Sequence, residues 1–335
     1  MSLQSTEVLP SAEGGDRKVL SSEPPNAEAA EGAFAHLVTP SRDRFVRCHF
    51  TVPRLDESHV LHIHGAVAQA RLLSLSHLRA LPPVTSTVVT ECAGNGRSRM
   101  QPPVGGEPWS GGAVSVAQWT GTPLRSVMDL RESALEVVFA GADGGRYQRS
   151  LPREVAMDPT TLIAWEMNGE PIPPAFGGPL RLIVPGWYGM ASVKWLARIE
   201  AVETPFEGEF QNARYVYASG LPVTRVKVKS MFTGAPAEVP ARVPVRLCGL
   251  AWGGEGPARI EVSVEGEWRE ARFAGPILPH AWRRFELQWT PPDPGRFRLR
   301  CRATDSAGET QPDEPIWNEL GYGMNATQEI EIEAR

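Results

Sequence analysis

The chain has 335 residues, 41% of them hydrophobic and 22% charged, with a formal net charge of -5. That length is a prior for two domains, and the composition suits ordinary hydrophobic cores. The mild acidity leaves no basic footprint for nucleic acid or anionic lipid. No apolar run approaches the roughly 18 residues of a membrane span, so neither nucleic acid nor membrane is an expected partner.

Residues 1–32 are polar and rich in Ser, Glu, Ala and Pro, and read as a flexible or surface-draped arm. They contain no apolar signal core and no twin arginine. The expected compartment is therefore the cytoplasm, or the periplasm if a leader has been removed. Residues 33–212 mix short strand-like and helix-like pieces. HVLHIHGAV (59–67) alternates like a strand, and SLSHLRAL (74–81) reads as a helix that opens on a Ser cap and stops before Pro82. VTSTVVTEC (84–92) is a β-branched run, hence a buried strand. LRSVMDLRE (124–132) reads as a helix, and LEVVFAGA (135–142) and LRLIVPGW (180–187) as strands. From about 221 the pattern changes to short alternating strands, among them VPVRLCGLAW, ARIEVSVEG, RRFELQWT and GRFRLRCRATD. Strands at such spacing with turn signals between them describe a β-sandwich. The expected fold class is α+β: a mixed α+β domain followed by a sandwich over 213–335.

The four cysteines, Cys48, Cys92, Cys248 and Cys301, form no CxxC pair. Zinc-ribbon, thioredoxin-like and c-type haem readings are thereby excluded. Cys248 and Cys301 sit in sandwich strands, where a disulfide would form only in an oxidising compartment. Cys92 ends a buried strand and opens the Gly-rich loop AGNGRSRMQPPVGGEPWSGG. Glycine lets backbone N–H groups approach an anion, and Arg97 and Arg99 add positive charge. On composition alone, Cys92 is equally at home as one more small buried hydrophobe.

ECAGNGRSRM, followed by EPWSGGAVSVAQWTGTPL, resembles the molybdenum-ligand segment of the sulfite oxidase family. FVRCHFTVP (45–53), the long segment 156–199, EPPNAE (23–28) and EPIWN (314–318) continue the resemblance through nearly the whole chain. It implies a molybdenum–molybdopterin cofactor held in the first domain and an immunoglobulin-like second domain that mediates a homodimer. The activity it implies is oxidation of sulfite to sulfate by oxo transfer. With no haem motif in the chain, electrons would leave to an external acceptor such as a cytochrome. Cys92 falls at the family's metal-ligating thiolate, a soft donor suited to such a metal. Arg47 and Tyr215 fall where the family has an Arg and a Tyr beside the reacting metal, with Tyr217 as the alternative one register step away. Arg97 and Trp109 match the pocket wall, although Trp109 fits core packing as well. His49 matches a cofactor-binding His. Arg181, Ser192, Lys194 and Arg198 lie in the segment that holds the pterin and its phosphate, where an Arg fork and a Lys point charge suit an anion.

The sequence also departs from the family. Gly96 stands where animal enzymes have a second Arg, and Phe176 where they have a cofactor-contacting His. The sandwich lacks two anion-binding arginines, leaving Arg259 nearby, and Glu329 stands where an Arg is expected. These departures leave open another oxo-transfer substrate on the same scaffold, such as an S-oxide or N-oxide. A non-catalytic binding module is the reading from another class.

Overall fold

The computed structural model describes residues 17–144 and 146–335. The first domain is built on two five-stranded sheets. In one, Val84–Glu91 pairs antiparallel with Val114–Pro123, which pairs with Leu162–Met167. The short strand Arg181–Ile183 attaches to Leu162–Met167. The β-branched run thus becomes a strand whose last residues, Val88 to Glu91, are buried, as the sequence predicts. In the other sheet, Leu196–Val202 lies parallel to Val60–Gly65 and antiparallel to Glu136–Gly141.

Helix is scarcer than expected, and the first domain consists mainly of strands and short helical turns. Leu75–Arg79 is a single short α-helix whose Ser74 forms a capping box with His77, and it buries Leu75 and Leu78. The helix expected over 124–132 shrinks to a 3-10 turn, Leu124–Ser126. Beyond it the backbone finds other partners. The Ala68 N–H donates to the Asp129 carbonyl and the Arg131 N–H to the Ala66 carbonyl. Tertiary pairing therefore satisfies the groups a helix would have used.

The expectation of a flexible arm over 1–32 needs correction. Residues 1–16 lie outside the described residues, but Val19–Ser22, Pro25–Ala27 and Val46–Arg47 form a three-stranded sheet. Pro25 through Ala30 are buried. The Glu28 carboxylate accepts the N–H groups of Ser110, Gly111 and Gly112 and the Ser110 hydroxyl. Burial alone would raise its pKa, but these hydrogen bonds hold it below the usual carboxylate range. A segment that looked like a solvated tail is a clasp on the Gly-rich loop.

The second domain is a four-stranded sheet packed on a five-stranded one. Leu247, Phe285 and Trp289 from the first sheet meet Ile260, Val262 and Leu299 from the second in one apolar core. Outward positions on Gly295–Asp305 are arginines, and Arg300 pairs with Glu329 at 2.8 Å. Cys248 and Cys301 lie in different sheets and are free thiols, and burial pushes Cys301 up to about 12. Leu250, Trp252 and Trp282 join the core of the first domain, so the two domains share an apolar contact. No helix among the described residues is long and apolar enough to cross a membrane.

Candidate cofactor site

Strand Val84–Glu91 delivers Cys92 to the wall of a cavity. The turn after it is fixed by the backbone. The Cys92 N–H donates to Ala113 and the Asn95 N–H to the Cys92 carbonyl, both at 2.9 Å. Side chains brace the same turn from below. The buried Glu91 carboxylate accepts from Asn95 Nδ2 (2.8 Å), from Trp252 Nε1 (2.8 Å) and from Lys229 Nζ (3.1 Å). Lys229 and Trp252 belong to the second domain, so that domain supports the loop carrying Cys92.

Arg47, His49 and Tyr215 form a hydrogen-bonded chain in the same cavity. Arg47 Nη2 donates to His49 Nδ1 at 3.0 Å, and His49 Nε2 lies 2.6 Å from the Tyr215 hydroxyl. A guanidinium can only donate, so Nδ1 accepts. Burial, reinforced by Arg47, brings the His49 pKa down to about 2, so the ring is neutral and carries its proton on Nε2. His49 therefore donates to the Tyr215 oxygen, which leaves the Tyr215 hydroxyl proton free to point elsewhere. Burial lifts the Tyr215 pKa well above its ordinary value. Asn26 holds Arg47 from behind, its Oδ1 accepting from Arg47 Nη1 at 3.1 Å.

Tyr215 adopts a left-handed backbone, φ 58°, just after a π-helical turn over Glu209–Ala213. Both features are uncommon and need support from neighbours. The support is the buried Arg149, which donates to the Phe210 carbonyl at 2.5 Å and the Val223 carbonyl at 3.0 Å. Tyr217, the alternative by register, points its hydroxyl toward Gly323 and Lys227 and does not line the cavity.

The same cavity is lined by Arg181, Ser192 and Lys194, joined by Arg44, which the sequence alone does not single out. Phe176 lines it as well. Burial brings Lys194 down to about 8 and, with Arg181 beside it, Arg44 to about 9. Asp143 is the one acid among the described lining residues, and burial raises its pKa. A cavity lined by a thiol and by clustered cations fits an anionic cofactor that also binds a soft metal. The Nε and Nη1 atoms of Arg44, buried without a hydrogen-bond partner, mark where an anion is wanted.

Three residues read as site residues lie outside this cavity. Trp109 is fully buried in the main core, behind the Cys92 loop. Arg97 gives Nε to the Leu320 carbonyl and Nη1 to the Glu107 carbonyl. Its guanidinium runs so close to Gly94 and Gly321 that a Cβ at either would come within 2.8 Å of its side chain. Arg97 thus clamps the Gly-rich loop to the loop bearing Tyr322, which stacks on Tyr215 at 5.2 Å. Arg198 sits on the central strand of its sheet, between His62 and Ala140. Asn26, Arg44, Glu91 and Lys229 were missed. For Asn26 a signal existed, because EPPNAE was part of the family resemblance. The other three are charged residues whose burial no local pattern announces.

The chain is similar to known proteins over both of its domains. The family model described as "Oxidoreductase molybdopterin binding domain" matches residues 49–210, and "Mo-co oxidoreductase dimerisation domain" matches 221–335. The chain is 35% identical to mitochondrial sulfite oxidase of Homo sapiens over 94% of its own length, and spans 65% of that protein, just under two thirds. It is 30% identical to sulfite oxidase of Arabidopsis thaliana, covering 91% of this chain and 90% of that one. The structure of the sulfane dehydrogenase SoxCD of Paracoccus pantotrophus superposes with a TM-score of 0.82 at 27% identity, covering 97% of this chain and 92% of that one.

Proposed function

Because the chain belongs to the molybdopterin-dependent oxidoreductases of the sulfite oxidase family, we propose that it oxidises sulfite to sulfate at the Cys92 end of the cavity. Electrons pass to an external acceptor such as a cytochrome. The observation that carries this reading is the meeting of Cys92 with the Arg47–His49–Tyr215 chain in one cavity.

When bound, a molybdenum–molybdopterin supplies the two-electron, oxo-transfer chemistry. Cys92 would ligate the metal, while Arg181, Ser192 and Lys194 would hold the anionic tail. The protein's own residues handle charge and protons. Arg47 offers a fixed positive charge to an arriving sulfite. Tyr215 keeps its proton at working pH and, with its oxygen held by His49, turns its hydroxyl to an oxyanion as a donor. Sulfite and water together give sulfate, two protons and two electrons, so a path for protons is required alongside one for electrons. Pairing of second domains in a homodimer is part of the proposal, supported by the match over 221–335.

The test is the molybdenum and pterin content of the purified protein, then sulfite oxidation with ferricyanide as acceptor. About one metal per chain with saturable sulfite turnover is the expected result. Absence of both metal and pterin from material made in a cofactor-competent host sinks the reading.

A second reading keeps the cofactor and changes the substrate. Arg47 is the one cation among the described lining residues that hydrogen-bonds into the His49–Tyr215 chain. Arg97 spends two donors on carbonyls, Arg259 pairs with Glu261 at 2.7 Å, and Glu329 is tied to Arg300. So thin a ring of charge favours a less anionic substrate, such as an S-oxide, an N-oxide or a sulfane sulfur. Metal-loaded protein that ignores sulfite but turns over one of these with dye acceptors or donors selects this reading.

A further inference from the structure

Tyr215 stands on a strained stretch of backbone, and its ring is held from the second domain. A φ of 58° lies in the left-handed region, where a bulky residue persists only if its neighbours dictate it. The backbone is held by Val223, whose N–H donates to the Tyr215 carbonyl at 2.7 Å, and by Arg149 beyond it. The ring is held by Tyr322: the two centroids are 5.2 Å apart and the planes 25° from parallel. Burial raises the pKa of Tyr322, and the Tyr215 backbone N–H beside its hydroxyl offsets part of that rise. Tyr322 therefore meets Tyr215 at two points, ring against ring and hydroxyl against backbone. It is also tied to the turn that carries Cys92. Asn318 fixes it, accepting the Tyr322 N–H at 2.9 Å and donating to the Tyr322 carbonyl at 2.8 Å. The Arg97 guanidinium lies 5.4 Å from the Tyr322 ring and donates to the Leu320 carbonyl. The next residue, Gly323, gives its N–H to the Ala93 carbonyl at 2.8 Å, and Ala93 directly follows Cys92. Contacts thus run without a break from Cys92 through Ala93, Gly323 and Tyr322 to Tyr215.

We infer that Tyr322 is a positioning residue, through which the second domain sets where the Tyr215 hydroxyl stands relative to Cys92. Every described lining residue of the cavity precedes the segment 221–335 that matches the dimerisation domain, and Tyr322 lies inside it. Tyr322 is buried and is not itself among the lining residues, so it acts through Tyr215. The inference rests on the function proposed above only in taking Cys92 and Tyr215 to serve one substrate. A displacement of about 1 Å at a group that faces the reacting atoms costs on the order of 100-fold in rate. A residue that never touches substrate therefore governs turnover by holding one that does.

The experiment takes the full chain made in a cofactor-competent host, as wild type, Tyr322→Leu and Tyr322→Phe, and each of these again with Tyr215→Phe. Metal content, steady-state sulfite kinetics and crystal structures are compared. In Tyr322→Leu the Tyr215 hydroxyl is expected to leave His49 Nε2, with kcat per bound metal down about tenfold and KM within about twofold. Tyr322→Phe keeps the stack and removes the hydroxyl beside the Tyr215 N–H, and is expected to cost about threefold in kcat. On the Tyr215→Phe background neither substitution should lower kcat further, because the group they position is gone. A loss from either that persists in full on that background overturns the inference, since Tyr322 would then act on something other than Tyr215. So does a Tyr322→Leu structure with Tyr215 unmoved, or one with Tyr215 moved and kcat unchanged. If Tyr322→Leu fails to fold, the Tyr322→Phe comparison decides by the same rule. Metal-loaded wild type that ignores sulfite removes the proposed function instead, and the position of Tyr215 in the variant crystals then decides the inference by itself.

Discussion

Two buried clusters of charge lie on either side of Cys92, and they are built on opposite principles. Beneath the Cys92 turn, Glu91 meets Lys229, Asn95 and Trp252, and both carboxylate oxygens and the ammonium are partnered. In the wall of the cavity, Arg44, Arg181 and Lys194 gather with no carboxylate among the described residues paired to any of them. The first cluster is complete within the chain and joins two domains. The second is complete only with something the chain does not encode. A closed ionic network identifies architecture, and an open one identifies a binding site.

The comparison is broken most severely at the residue between the clusters. Cys92→Ser is expected to leave both clusters and the melting temperature near wild type. Metal content should fall, and turnover should drop by more than about 1,000-fold, since a hydroxyl is a poor substitute for a soft thiolate. Metal analysis and steady-state assay check this. A serine variant that keeps its metal and its rate would remove Cys92 from the site.

The closed cluster should fail in a different way. Lys229→Met leaves Glu91 as an unpaired buried anion, and breaking such a pair by removing one partner costs about 3–5 kcal/mol. Chemical denaturation should show that loss, alongside loss of cofactor because the Cys92 turn is no longer braced. The doubly neutral Glu91→Gln, Lys229→Met pair should recover much of the stability. A Lys229→Met protein as stable as wild type would mean that the network is not closed.

Tyr215→Phe tests the polar chain between the clusters. Its backbone is held by Arg149 and its ring by Tyr322, so the fold should be unaffected. Removing one donor aimed at a developing oxyanion should lower kcat by about 100-fold, near 2.7 kcal/mol, with the metal retained. Tyr217→Phe, outside the cavity, should cost little, and equal effects at the two positions would reverse the register assignment.

How much of this was legible in the sequence differs between the clusters. Cys92, Arg47, His49, Tyr215, Arg181, Ser192 and Lys194 sit in segments whose resemblance to a family carried their placement in one cavity. The strand before Cys92 was readable from β-branching, and the sandwich from alternation, because periodicity reports burial directly. The closed cluster was not legible. Glu91 and Lys229 are 138 positions apart, and a buried Lys looks like a solvated one until the partner strand is in place. Arg44 was hidden in the same way, within the run SRDRFVR. Trp109 and Arg97 match the pocket wall by family resemblance, and neither is among the residues that line the cavity. Arg97 ties two loops together through backbone carbonyls. Composition reads residues 1–32 as a flexible or surface-draped arm, and the described part of it, from residue 17, is bound into the fold. Its polar residues are polar because Asn26 and Glu28 reach inward to hold Arg47 and the Gly-rich loop.

The smallest effect expected is on pH dependence, and it belongs to the open cluster alone. Burial brings Lys194 down to about 8 in cofactor-free protein, from an ordinary value of 10.5. Between those two values the unfolded chain binds a proton that the folded chain has released. Stability contributed by this group therefore rises with pH across that window and is flat below about pH 8. The buried charge disfavours folding when present and ceases to do so when lost. Lys194→Met should abolish the rise, so the difference in Tm between wild type and variant should narrow from pH 8 toward pH 10.5. Saturating inorganic phosphate should suppress the wild-type rise as well, because a bound dianion restores the ammonium to its ordinary range. Lys229, paired with Glu91, gives the control: its conservative variant Lys229→Arg should leave the wild-type rise in place. A rise that persists in Lys194→Met would assign the titration to another group and leave the charge of the open cluster to Arg44 and Arg181.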